Sequence, residues 1–305
     1  MTVPLAVNFE NIGDYFIVAF YVLLAICTVL VAGAVVVAIL GSKSLRTENR
    51  FIFMLSTSIS DTLSGFGWFY VGLFDVKESY PQRNGTYFVL PTLLGVNFIT
   101  ILTAQIDRYV AVSYPFFYAR RVTLRVVIGI CIFVWTLNYL TVFLMNVVPW
   151  QVAAVYNAVN TLGVQILAVI IMLGLNIKLY RIVCFQLKRE PASPETDGKR
   201  ASLLLIIAVT MCFLAFWTPG FINVSLCGLT SYGYRFKNIA MDPFAVLIRM
   251  NPLSTPSLYI IGSVALRKAI LKFLRRDACC AAKRVKVSGS LSWQSGPQDG
   301  SQPQT

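Results

Sequence analysis

Histidine is absent from the chain. That omission removes His-ligated zinc and haem sites and His-dependent acid–base catalysis. Charge is scarce as well: 13% of the 305 residues are charged, about half of the roughly 25% usual in water-soluble domains. Acids are scarcer still, 13 against 26 bases. No basic segment carries a nucleic-acid motif, which sets nucleic acid aside as a partner. No secretory-leader pattern opens the chain: the first 13 residues hold no Lys or Arg, so the first apolar helix is expected to act as its own insertion signal. What is abundant is apolar surface, with 57% hydrophobic residues and a mean hydropathy of +0.69. A soluble protein of that composition would need polar faces on its helices. Most of the long apolar segments have none, so they read as membrane spans.

Seven such stretches are expected, at about 14–41, 51–74, 87–112, 126–147, 158–183, 201–227 and 241–262, each near the ~20 residues a bilayer requires. The fold class is an all-α membrane protein, a seven-transmembrane helix bundle. Basic residues orient it. Lys43, Arg46 and Arg50 follow the first span, and Arg108, Arg120, Arg121 and Arg125 end or follow the third. Six more, from Lys178 to Arg200, end or follow the fifth, and eight lie between Arg267 and Lys286. That side takes 21 of the 26 bases, while Lys77, Arg83, Arg235 and Lys237 fall on the other. The positive-inside bias makes the richer side cytoplasmic and the N-terminus, residues 1–13, extracellular. The sequon at Asn84 then lies outside, where glycosylation is expected, while a second match at Asn223 is buried in the sixth span. No two cysteines share an outside loop, so no structural disulfide is expected. Residues 190–198, EPASPETDG, read as a flexible loop. A short amphipathic helix is expected at 263–276, and 277–305 as a disordered cytoplasmic tail.

Charge inside a span is costly and needs a reason. Asp107 and Arg108 stand at the inner end of the third span, followed by Tyr109 and, after VAVSY, by Pro115 and Phe116. Alone, the three letters DRY could mark a snorkelling anchor. With SISD (Asp61) in the second span, Trp135 in the fourth, FLAFWTP (Phe213, Trp217, Pro219) in the sixth and TPSLY (Pro256, Tyr259) in the seventh, the order and spacing become specific. The chain resembles the rhodopsin-like (class A) G-protein-coupled receptors through all seven spans.

That resemblance implies a non-enzymatic plasma-membrane receptor. Its agonist would open the sixth span, freeing Arg108 from Asp107 to contact a heterotrimeric G protein, with Phe116 presented to the same partner and arrestin as another. It implies palmitoylation at Cys279 and Cys280, contact with acidic inner-leaflet lipids, and a sodium ion at Asp61 with Asn97 and Asn251. The chain departs from the family pattern at Ala34 and at Thr255, each replacing an asparagine. It departs also at Arg83, where a disulfide cysteine is usual, at Ala168, near the place of the fifth-span proline, and at Asn176, which replaces a tyrosine. Missing the proline and the disulfide resembles the lipid, melanocortin and adenosine-like cluster. The inner end of the sixth span carries Lys199 and Arg200 where an acid often pairs with the arginine, which implies a loose off state. Leu90, not an acid, stands at the position matching the amine receptors' third-span acid, which argues against amines, and Arg249 stands at the retinal lysine's place, which argues against an opsin. Arg249 reads either as an anchor for a small acidic or lipid-like ligand or as the partner of Asp75, Asp242 or backbone carbonyls. Tyr70, Phe74, Leu90, Leu94 and Trp217 could line the same cavity or serve only as packing. Two alternatives stand beside the receptor: a seven-helix protein that no longer couples, given Ala34 and Thr255, and a transporter, against which no internal repeat is found.

Overall fold

The computed structural model describes residues 12–73, 90–148, 152, 160–189, 193–229 and 243–275. Among them run seven long helices. The first four are Ile12–Gly41, Asn49–Leu73, Leu90–Ser113 and Leu124–Val147. The fifth span begins in a π turn, Asn160–Gln165, continues as Ile166–Arg181 and ends in a second π turn, Ile182–Gln186. The sixth and seventh are Pro194–Leu229 and Pro243–Gly262. Short helices at Lys43–Arg46 and Pro115–Arg121 join spans, and a helix at 264–275 follows the seventh.

The sixth helix corrects the expected flexible loop at 190–198, since Pro194 to Gly198 are already helical. Local chemistry explains the early start. Ser193 caps the helix, its Oγ accepting the Thr196 backbone N–H at 3.2 Å, and proline is pre-set for a first helical position. Ser263 does the same for the last helix, accepting the Leu266 N–H at 3.3 Å, close to where the amphipathic segment was expected.

Only four helices among the described residues are apolar enough to cross a membrane by length and composition alone: the first, fourth, fifth and sixth. The second shows why the others fall short. Its Ser56, Thr57, Ser58, Ser60, Asp61 and Ser64 are all buried, so its polarity is turned into the bundle. Ser60 donates to the Leu93 carbonyl at 2.9 Å, Trp135 Nε1 donates to Ser56 Oγ at 2.9 Å, and Thr57 shares a 3.1 Å hydrogen bond with the Tyr259 hydroxyl. One helix thereby ties the third, fourth and seventh spans. Other hydroxyls bond back along their own helix, Thr103 to the Ile99 carbonyl and Thr210 to that of Ile206, since lipid offers no partner. The outer face is the reverse, with Leu30, Phe133, Ile170 and Ile177 exposed as lipid-facing groups.

The first and second spans pack most extensively, followed by the sixth against the seventh. Gly65 sets the first of these approaches, because a β-carbon there would lie 2.8 Å from Val29 Cγ2. The central core gathers Val35, Phe51, Phe98, Met172, Phe213 and Tyr259. A second cluster at the Asp107 end joins Phe53, Val127, Leu179 and Leu203.

Candidate functional site

The third span delivers Asp107 and Arg108 to one end of the bundle, where a short helix turns away under Pro115. Proline suits that first helical position because its missing N–H has no intrahelical acceptor to serve. Arg108 forks onto Asp107 Oδ2, through Nε at 2.9 Å and a terminal nitrogen at 2.5 Å. The other carboxylate oxygen accepts from Tyr118 at 3.0 Å. That hydroxyl in turn accepts from Arg108 at 3.2 Å and from Asn49 Nδ2 at 3.0 Å. One donated and two accepted bonds fill the capacity of a phenol oxygen. Burial above all raises the Tyr118 phenol's pKa beyond its ordinary 10.0, so near neutral pH it keeps the proton it donates. Sequence reading missed Tyr118 and Asn49; the available signal was a tyrosine one helical turn beyond Pro115, on the Asp107 side.

Beside this network lies a narrow crevice of about 20 Å³, bordered by Arg50, Arg108, Ser202, Leu205 and Tyr259. The sixth span thus presents a serine and apolar groups to Arg108, whose carboxylate partner is its own neighbour. Pro115 is exposed, and Phe116, at 92% exposure, projects from the short helix with nothing covering it. Tyr109 turns the other way, with the Lys178 ammonium 5.5 Å from its ring centre.

Deeper in, Trp217 stacks between Phe98, 5.2 Å away, and Phe221, 4.8 Å away, with Phe213 at 6.2 Å. Pro219 is half-buried, and Pro256 and Tyr259 are buried. Between the third and second spans, Asn97 donates to Asp61 Oδ1 at 2.6 Å. The second Asp61 oxygen and the Asn97 amide oxygen are buried with no hydrogen-bond partner, and Asn251 accepts from Thr255 at 3.4 Å. Oxygens left open in this way fit a hard cation, so Asp61 and Asn97 are the residues that would hold sodium; Asn251 is buried on the seventh span. A fourth polar pair joins the third and fifth spans. Gln105 Nε2 donates to Asn176 Oδ1 at 2.8 Å, both side chains being buried.

Arg249 is buried in the seventh span with its guanidinium 4.8 Å above the Tyr21 ring, a cation–π geometry. The partners weighed for it, Asp75 and Asp242, lie outside the described residues, as do Phe74, Asn84, Cys279 and Cys280. Tyr70 and Leu90 are placed as helix positions only, and Leu94 is half-buried. Cys27, Cys131, Cys184 and Cys212 are free thiols.

A family model for the 7 transmembrane receptor (rhodopsin family) matches residues 31–259. Human G-protein coupled receptor 183 is 23% identical over 285 residues, spanning 84% of this chain and 74% of that receptor. Human C-C chemokine receptor type 4 is 21% identical over 296 residues, spanning 86% and 79%. Rat relaxin receptor 1 is 27% identical over 217 residues, spanning 58% of this chain but 28% of its own length.

Proposed function

We propose, from the premise that this chain belongs to the rhodopsin family of seven-transmembrane receptors, that it couples binding of an extracellular ligand to nucleotide exchange on a heterotrimeric G protein. The chain is a multi-pass membrane receptor and not an enzyme, in keeping with its relatives. The observation that carries coupling is the Asp107–Arg108–Tyr118 network at the mouth of a closed crevice. Outward movement of the sixth span would widen that crevice. Arg108 would then exchange Asp107 for the G protein, and Phe116 would be covered by the same partner. Ligand energy enters as a preference for the open arrangement, since equal affinity for both states shifts nothing. The sixth span borders Arg108 with Ser202, Leu205 and Ile206, none of them an acid, so the closed state is weakly latched and basal exchange is raised. The N-terminus faces outward at the plasma membrane, Asn84 is glycosylated, Cys279 and Cys280 carry palmitate, and arrestin is a second cytoplasmic partner.

Nucleotide exchange across a panel of G proteins, in cells expressing the chain without ligand, tests this. Exchange is expected above empty-vector cells and is lost in Arg108→Ala at equal surface expression. A flat panel at confirmed surface expression would overturn the raised basal exchange and leave two readings, a receptor that couples only with ligand bound or one that no longer couples. In membranes from the same cells, sodium in place of potassium is expected to lower basal exchange, by adding positive charge beside Asp61 in the closed bundle. Asp61→Asn should abolish the difference; a sodium effect that survives it places the ion elsewhere.

The ligand is assigned as a small acidic or lipid-like molecule, anchored by Arg249. A charge-assisted hydrogen bond is worth about 1.5–3 kcal/mol, so Arg249→Gln should weaken a verified acidic agonist by about tenfold to a hundredfold. Unchanged potency would make Arg249 a structural partner of Tyr21.

A further inference from the structure

A basic cleft on the outside of the bundle takes no part in the scheme above. It lies between the ends of the third and fifth spans, encloses about 340 Å³, and is lined by Tyr109, Ser113, Lys178, Arg181, Phe185 and Gln186. Its shape depends on the π turn. Leu187 N–H reaches back five residues to the Ile182 carbonyl at 3.0 Å, and this wider turn sets Phe185 and Gln186 beside Arg181 rather than past it. Lys178 and Arg181 are exposed, and no carboxylate lines the cleft. Two positive charges, two hydroxyls and an amide therefore converge on one space. Phe185 of the cleft and, on the same helix, Ile177 and Tyr180 are exposed by 62%, 63% and 56%, an apolar surface on the lipid-facing side.

Charge and position select the occupant. A phosphomonoester carries about −1.5 to −2 at neutral pH and three acceptor oxygens, matching two cations flanked by donors. A phosphodiester or a carboxylate brings one charge and leaves the second cation unanswered. That apolar surface calls for acyl chain next to the phosphate, which a soluble anion does not supply. The depth agrees, because the third and fifth spans end here, at the level where headgroups lie.

We propose that this cleft binds the phosphomonoester headgroup of an anionic membrane lipid, paired by Lys178 and Arg181, with the acyl chains laid along Ile177 and Phe185. The bound lipid bridges the third span, at the residue after Arg108, to the fifth. This rests on the membrane assignment and not on coupling, so the test needs no G protein and does not depend on which face is cytoplasmic.

The full chain is reconstituted in nanodiscs of dioleoylphosphatidylcholine with dioleoylphosphatidic acid, or with dioleoylphosphatidylserine at equal charge, and retained lipid is counted by native mass spectrometry. Phosphatidic acid is expected to be retained in preference to phosphatidylserine. Lys178→Gln with Arg181→Gln should weaken that retention roughly thirtyfold. Lys178→Arg with Arg181→Lys should keep it, and Lys43→Gln with Lys272→Gln, at the far side of the bundle, should leave it untouched. Equal retention of the two lipids, or retention that survives the double Gln variant, overturns the assignment. Displacement of the lipid by soluble glycerol 3-phosphate at equal concentration would give the cleft to a free phosphate and overturn it as well.

Discussion

Gly65→Val is expected to destabilise the protein by about 3 kcal/mol, at the upper end of what overpacking usually costs. At this position a β-carbon meets Val29 Cγ2 at 2.8 Å, Thr28 Cγ2 at 3.2 Å and the Val29 backbone nitrogen at 3.3 Å. The side chains could rotate away, but the nitrogen yields only if the first and second spans separate. Separation would carry the polar face of the second span with it, pulling Ser60 from the Leu93 carbonyl and Thr57 from Tyr259. Gly33→Ala supplies the contrast, since nothing lies within 4 Å of a β-carbon there. Alanine should be neutral at that site or gain a little from its better helix propensity, which exceeds that of glycine by up to about 1 kcal/mol. Thermal unfolding of the purified proteins compares them. A Gly65→Val protein that melts with the parent would mean the two helices do not approach as described.

Gln105→Leu is expected to raise ligand-independent nucleotide exchange. The Gln105 amide lies fully inside the bundle and fastens the third span to the fifth through Asn176, with a longer 3.4 Å contact to the Met172 carbonyl. Under the proposed coupling, the narrow crevice beside Arg108 makes the arrangement that holds this bond the closed one. Hydrogen bonds between helices in a membrane average about 0.6 kcal/mol and reach about 1.7. Removing one found only in the closed state would multiply the open-to-closed ratio about threefold, and up to roughly fifteenfold. Asn176→Leu should match it, and the double variant should add little, because one interaction is lost in all three. Basal exchange that stays level in Gln105→Leu would mean the pair persists in both states.

The seven helices were legible because lipid enforces a coarse rule, about twenty apolar residues for each crossing, and basic loops punctuate it. Asp107, Arg108 and Asp61 were legible for a related reason: a charge in a span is rare enough to mark itself. Tyr118 and Asn49 were not. A tyrosine in a short helix between spans and an asparagine at a helix start carry no such cost, and 69 residues separate them, so only the folded chain brings Asn49 to the Tyr118 hydroxyl. The helix beginning at Pro194 was hidden by composition, since Pro, Ser, Asp and Gly suggest a loop when the capping geometry at Ser193 is not yet in view. Gln105 and Asn176 were hidden differently. Gln105 reads as one more polar residue two places before Asp107, Asn176 only as a departure from the family's tyrosine, and what gives the pair weight is that the two face each other, 71 positions apart.

The polarity of the second span also bears on how the chain enters the bilayer. Among the described residues, the helices apolar and long enough to cross by composition alone are the first, fourth, fifth and sixth, so each remaining helix, the second, third and seventh, has such a helix beside it in the chain. The two most extensive contacts, first with second and sixth with seventh, pair such a helix with one of the others. A helix carrying Asp61 and a row of hydroxyls gains little from lipid alone, an aspartate at mid-span costing about 2.5–3.5 kcal/mol. Shielded against its predecessor, it can cross as half of a hairpin. The buried hydroxyls that organise the finished bundle therefore also set an order of assembly, in which a polar helix waits for its apolar neighbour before leaving the translocation channel.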